Sequence, residues 1–177
     1  VAGLDELLRG GVINGRMYLI SGDPGTGKTT LGMHFLEEGL RNDETALFIH
    51  GEESSEELIT NAAEFNIDIA AAEFLDLGPE SDFFTDDPSY DLVNPQDIEE
   101  QRYTTAIHEA IRDIDPDRII IDPLTQLQYI EPSDYHYRKR ILSFIRFLKE
   151  REVNVLATVS LDSKPSGSNE IRSLSDG

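Results

Sequence analysis

The chain has 177 residues, with 35 Asp and Glu against 15 Lys and Arg, for a formal net charge of −20. That length suits one domain with a sizeable core, and the lack of cysteine excludes a disulfide framework and a thiolate zinc site. No apolar run is long enough to cross a bilayer, and a charge this acidic argues against nucleic acid, whose binders need a cationic face to displace counterions.

The acids are spread along the chain rather than gathered in one block, so they do not read as an acidic tail. Of the 15 basic residues, 11 are Arg and 4 are Lys. Excess carboxylate with little lysine fits a protein working in high salt, where surface charges are screened. No basic-then-apolar leader stands at the start. With the absence of cysteine, this gives a cytoplasmic expectation.

Leu4 to Leu8 reads as a short helical turn ended by Gly10-Gly11, and Asn14-Gly15 as a tight turn. Arg16 to Ser21 is apolar, aromatic or branched, as a buried strand requires. The next stretch is the one the chain is organised around: Gly22-Asp23-Pro24-Gly25-Thr26-Gly27-Lys28-Thr29, a phosphate-binding P-loop of the form G-x-x-x-x-G-K-[ST]. Gly25 and Gly27 lack a Cβ and can take positive φ, so the backbone can wrap a phosphate closely. Its N–H groups form an anion nest, and the helix that follows adds its positive end. Lys28 is expected to reach the β- and γ-phosphates and Thr29 to ligate Mg²⁺. Gly22 to Thr30 are thus the candidate nucleotide-binding residues. The P-loop helix is expected over Thr30 to Leu40, with Leu31, Phe35, Leu36 and Leu40 near helical spacing.

A second strand spans Thr45 to His50. Gly51, Glu52 and Glu53 follow, then Ser54 and Glu57 at capping-box spacing, so a helix is expected to about Phe65. Glu73 to Leu77 is a short strand. Residues 78 to 96 form a long polar loop with three prolines, expected beside the nucleotide. Pro95 can open a helix reaching about Asp113, with Ile98, Ala106, Ile107, Ala110 and Ile111 inward. Arg118 to Asp122 is a buried strand ending in a carboxylate. A helix over Ser133 to Arg151 has Ile141, Leu142, Phe144, Ile145 and Leu148 inward. Val153 to Ser160 is a further central strand, and the chain is polar from Leu161. Strands alternating with helices, two of the strands apolar on both faces, predict an α/β fold: a mostly parallel sheet covered on both sides. The chain stops on no completed element, so a single domain over 1–177, cut short at its C-terminal end, is expected.

Ligands in such sheets bind beyond the carboxyl ends of the strands. Asp122 falls there and reads as a Walker B carboxylate orienting Mg²⁺; the competing reading is an acidic cap before Pro123. Glu52 and Glu53 end the strand after the P-loop helix. Either they align and deprotonate a water at the γ-phosphate, or they are acids favoured at a helix N-terminus. Spacing alone leaves the two readings even. Ser160 and Thr125 are ambiguous between phosphate sensing and solvated loop positions. Tyr135 to Arg140 mixes aromatic and basic residues, which reads first as an exposed helix face or subunit contact.

These motifs resemble the KaiC branch of the RecA-like P-loop ATPases. The matching pieces are Gly3 to Gly11 with Gly15-Arg16, Ser21 to Thr30, Glu52-Glu53, and Ile120 to Thr125, in family order over nearly the whole chain. The acidity makes it similar to haloarchaeal, HTR-like members. The resemblance implies a RecA-like fold and ATP with Mg²⁺, and assigns water activation to Glu52, Glu53 or both. It also implies a homo-oligomeric ring, commonly a hexamer, with basic fingers reaching the nucleotide from a neighbouring subunit. Pro123 stands where small polar residues are common in the family, and Ser160 where clock-type members often carry an acid. Ile171 to Asp176 is loosely similar to the segment that clock proteins autophosphorylate, but Arg172 replaces one acceptor, which puts phosphorylation at Ser173 in doubt.

The function expected is a regulatory or signalling Mg²⁺-dependent ATPase, with a possible protein partner. The alternative is a nucleotide-dependent assembly switch with little hydrolysis. A DNA recombinase is disfavoured by charge. No base-reading N-K-x-D motif separates ATP from GTP.

Overall fold

The computed structural model describes residues 3–78, 95–124 and 134–160. Its elements in chain order are α1 (Leu4–Leu7), β1 (Met17–Gly22), α2 (Lys28–Leu40), β2 (Ala46–His50), α3 (Ser55–Glu64), β3 (Glu73–Asp76), α4 (Pro95–Ile114), β4 (Arg118–Asp122), α5 (Asp134–Lys149) and β5 (Asn154–Ser160). The five strands form one parallel sheet in the order β1-β5-β4-β2-β3. The fold is the α/β parallel sheet that the alternation of strands and helices predicts, in the RecA-like P-loop arrangement that the resemblance implies.

Two apolar layers hold the sheet. On one face Phe48, Ile120 and Leu156 meet Met33, Phe35 and Leu36 of α2 and Leu58 and Ala62 of α3. On the other, Leu47, Ile49, Ile119, Ile121, Val155 and Ala157 meet Ile107 and Ile111 of α4 and Phe144, Ile145 and Leu148 of α5. Successive strand side chains alternate faces, so strands covered on both sides must be apolar throughout. The helix α2 lies very close to the sheet. A Cβ on Gly32 would fall 1.6 Å from Ile120 Cδ1 and 3.8 Å from Leu156 Cδ2, so glycine is needed for that approach.

The register places a row of side chains across the carboxyl end of the sheet. Ile20 pairs with Thr158, and His50 pairs with both Asp122 and Asp76. Extending the β4–β5 register by one residue from Ile121 and Ala157 sets Asp122 beside Thr158. In-register residues of parallel strands share a face. Thr158, Asp122, His50 and Asp76 therefore form a polar line continuing the α2–α3 face beyond its apolar core.

Three expectations differ from the structure. The P-loop helix begins at Lys28 rather than Thr30, because the left-handed Gly27 (φ 83°) already caps it. The helix α5 runs from Asp134 to Lys149, inside the expected Ser133 to Arg151. Leu142, expected inward, is 42% exposed. At about 100° per residue it lies roughly 60° past Ile145 around the helix, off the stripe formed with Phe144 and Leu148. The 78 to 96 loop apart from Gly78 and the start of α4, together with Thr125 and residues 161–177, lies outside the described residues, as do the side chains of Ile98 and of residues 135–141.

Candidate functional site

The P-loop joins the end of β1 to the start of α2. Gly25 (φ 77°) and Gly27 (φ 83°) both take the left-handed conformation, which turns successive N–H groups to one side. The first intrahelical bond runs from Leu31 N–H to the Gly27 carbonyl, at 2.9 Å. The N–H groups of Lys28, Thr29 and Thr30 thus stand at the open end of the helix, where the geometry supplies no intrahelical acceptor. Thr29 and Thr30 occupy the first turn, half-buried, while Asp23 to Gly27 are exposed.

Lys28 closes the loop on itself. Its Nζ donates to the Gly22 carbonyl at 3.0 Å and the Asp23 carbonyl at 2.9 Å. The Asp23 carbonyl also accepts the Thr26 hydroxyl at 2.8 Å and the Thr26 N–H at 3.3 Å. A Cβ on Gly22 would fall 2.7 Å from Thr26 Oγ1, so the loop folds tightly over its first glycine. An ammonium held by neutral carbonyls retains its charge for an incoming anion.

Two strands away, Asp122 ends β4. Its Oδ1 accepts a hydrogen bond from the Thr158 hydroxyl on β5, and Thr158 is fully buried. The chain then turns through a cis Asp122-Pro123 bond, and Leu124 N–H returns to the Thr158 carbonyl at 2.8 Å. Ser160 sits beside Gly22 at the carboxyl end of β5. The strand between the P-loop strand and the Asp122 strand thus carries a hydroxyl directed at the carboxylate.

Glu52 and Glu53 lie exposed between β2 and α3. The helix is anchored by the predicted capping box. The Glu57 N–H donates to Ser54 Oγ at 3.3 Å, and the Ser54 N–H and hydroxyl donate to Glu57 Oε2, each at 2.9 Å. Those two bonds hold the Glu57 carboxyl below its ordinary range. The Glu53 carboxylate accepts from Asn61 Nδ2 at 2.8 Å. Glu52 has no hydrogen-bond partner among the described residues.

With this geometry in place, comparison with known proteins is decisive. A family model described as ATPase: KaiC matches residues 1–177. The chain belongs to the KaiC family. It is 31% identical over 138 residues to a UPF0273 protein of Pyrococcus horikoshii, covering 75% of this chain and 56% of that protein. It is 33% identical over 165 residues to the circadian clock oscillator protein KaiC of Parasynechococcus marenigrum, covering 89% of this chain and 31% of that protein. A second clock oscillator KaiC, from Prochlorococcus marinus, is 34% identical over 165 residues, covering 31% of its length. The chain spans about half the length of the UPF0273 relatives it matches and about a third of the clock proteins.

Within this KaiC-family domain, the site includes three residues that motif reading passed over. His50, Asp76 and Thr158 all end or nearly end strands. His50 is 3% exposed, and its ring meets Phe48 and Phe74 edge-on, at 5.8 and 5.9 Å between centroids. Its Nδ1 lies 2.9 Å from the Glu53 carbonyl and its Nε2 2.9 Å from Ser55 Oγ. Burial pushes its pKa below the ordinary imidazole value; Asp76, the Glu53 carbonyl, Asp122 and Glu53 act in the opposite sense and do not outweigh it. The signal that could have found His50 is its position: an ionisable residue closing an otherwise apolar strand, immediately before the paired glutamates.

Proposed function

We propose that this domain binds ATP with Mg²⁺ and hydrolyses it, as a regulatory ATPase of the KaiC type. The observation that supports this reading best is the P-loop itself. Two left-handed glycines, an open helix N-terminus and a charged lysine resting on neutral carbonyls converge at the end of β1. That arrangement suits a polyphosphate. The fit to a hard divalent cation rests on oxygen donors: the Thr29 hydroxyl in the first turn of α2 and the Asp122 carboxylate held by Thr158. Mg²⁺ bound there would neutralise charge on the β- and γ-phosphate oxygens.

The protein's own groups divide the remaining work. The N–H groups from Gly25 to Thr30 cradle the phosphates, and Lys28 leaves its two carbonyls to pair with the γ-phosphate. Of the two glutamates, Glu53 is tied to Asn61, so Glu52 is assigned as the base. It takes a proton from water as the water oxygen bonds to the γ-phosphorus and the β–γ bridging bond breaks, leaving ADP and phosphate. The reading includes a cytoplasmic, homo-oligomeric ring in which a neighbouring copy supplies cationic groups to the transition state.

A second reading, a nucleotide-driven assembly switch with little turnover, draws on the same Glu53–Asn61 bond, which leaves only one glutamate free. Two measurements separate the readings. ATP binding and phosphate release are followed in molar KCl for the wild type, Lys28→Ala, and the Glu52→Gln, Glu53→Gln double variant. The ATPase reading expects binding lost in the first variant, and binding kept with turnover lost in the second. Binding and nucleotide-dependent assembly with no phosphate release in the wild type would favour the switch. Molar salt is chosen because the acidic excess fits a haloarchaeal-type protein, so the urea midpoint should rise from dilute to molar KCl as repulsion is screened.

A further inference from the structure

We propose that His50 is a positioning residue for the Glu52–Glu53 segment, fixing that loop against the ends of β2 and β3 through both ring nitrogens. The proposal rests on the ATPase reading for its catalytic consequence, while its structural content is independent of it.

The hydrogen bonds determine the tautomer. A backbone carbonyl can only accept, so the 2.9 Å contact with the Glu53 carbonyl requires the proton on Nδ1. The Nε2 then accepts the Ser55 hydroxyl at 2.9 Å. One buried ring thus holds the residue after Glu52 from one side and the first residue of α3 from the other. The five-residue stretch from Gly51 to Ser55 is held at its middle residue and at its last by a single side chain.

The ring has little freedom to move. Phe48 and Phe74 flank it on the same sheet face. Behind it, Leu77 N–H donates to the His50 carbonyl at 2.7 Å, and Gly78 N–H donates to Asp76 Oδ1 at 2.7 Å. A Cβ on Gly78 would fall 3.2 Å from the Gly51 carbonyl oxygen, so the segments leaving β2 and β3 are packed on each other. Nδ1 is 3.9 Å from Asp76 Oδ1, a distance at which the carboxylate favours a proton on that nitrogen without competing for the bond to Glu53. A leucine could fill the same apolar pocket. Among the described residues the two nitrogens hydrogen-bond to Glu53 and Ser55, a role that leucine could not fill.

A general base is effective only within hydrogen-bond reach of the proton it takes, and about 1 Å of misplacement can cost roughly 100-fold in rate. If His50 sets the loop, losing it lowers kcat while leaving the phosphate cradle intact.

The test compares His50→Leu, which keeps bulk but makes neither bond, with His50→Asn, whose amide N–H can stand in for Nδ1–H, and with Ser55→Ala. Three quantities are read in molar KCl: kcat and KM for ATP hydrolysis, equilibrium ATP binding, and amide hydrogen exchange across residues 51–55. The expected result for His50→Leu is a kcat at least about tenfold lower with ATP affinity within about twofold, and faster exchange in that segment. His50→Asn should recover most of both, and Ser55→Ala should loosen the segment to a smaller degree. Unchanged kcat and unchanged exchange in a folded His50→Leu would overturn the proposal. Should His50→Leu fail to fold, exchange across residues 51–55 unchanged from the wild type in both Ser55→Ala and His50→Gln, which loses the donor at the Nδ1 position, would do the same. A wild type that binds ATP without turnover would defeat the ATPase reading alone, and the exchange comparison would still decide the role of His50.

Discussion

The two ends of the sheet are built differently. At the amino end, side chains bind distant parts of the backbone to one another. Arg118 forms a two-pronged pair with Glu44, donates to the Phe35 carbonyl at 3.0 Å and stacks over the Phe35 ring at 4.9 Å. Asp117 accepts from Thr45 N–H at 2.8 Å, and Asn154 accepts from Gly15 N–H at 3.1 Å. At the carboxyl end the polar groups instead form a line from Thr158 to Asp76, beside an exposed glycine-rich loop and two exposed glutamates. One end uses its polar groups to fasten distant backbone segments, and the other uses them to hold the strand-end segments that carry the candidate site. On the proposed ATPase reading, stability and chemistry are thereby separated along the strand direction.

That separation can be broken or sharpened by substitutions whose effects should not cross over. The largest effect is expected for Lys28→Ala. Losing a charge-assisted contact to phosphate should weaken ATP binding roughly 100-fold or more, about 3 kcal/mol, with the urea midpoint nearly unchanged. A large fall in stability would show that the two ends are not independent. Arg118→Ala should do the reverse. Removing the paired guanidinium and its bond to the Phe35 carbonyl should cost about 2 kcal/mol in urea unfolding, with ATP affinity of the folded protein within about twofold. Ser54→Ala removes a cap that lies at the carboxyl end but serves the fold, so about 1 kcal/mol of stability should go.

The smallest effect is one of pH. His108 on α4 stacks on Phe147 at 4.3 Å, and burial first, then Arg112 and Arg151, push its pKa below the ordinary 6.5. The folded state therefore binds fewer protons than the unfolded one. Its contribution to stability is full above 6.5 and declines as pH falls below it. The drop in urea midpoint between about pH 7.5 and 5.5 should be shallower in His108→Gln than in the wild type.

Much of the fold is legible in the sequence for plain reasons. The P-loop, the capping box at Ser54 and Glu57, and the uninterrupted Ile119-Ile120-Ile121 run are local signals, and each lies where local geometry requires it. The strand order is not local. Nothing near Val155 indicates that β5 pairs with β1 and β4 rather than closing an edge. The same limit hid His50, Asp76 and Thr158, whose roles arise from register across strands more than twenty residues apart. Leu142 was misread because apolar content was counted without its angle around α5. Asp122, Glu52 and Glu53 can be placed at or just past strand ends from the sequence, although a carboxylate there shows its partner only once the neighbouring strand is known.

The position of β5 also bears on how the protein is made. Among the described residues, β1 bonds only to β5, and β5 follows the other four described strands in the chain. Until residues 154–160 emerge, the strand carrying the P-loop lacks its one described neighbour, and Asp122 has no Thr158 to hold it. The nascent chain can build β2, β3 and β4 side by side before that pairing forms. On the proposed ATPase reading, nucleotide capture should therefore follow the emergence of this seven-residue strand, which slides between β1 and β4 and joins them.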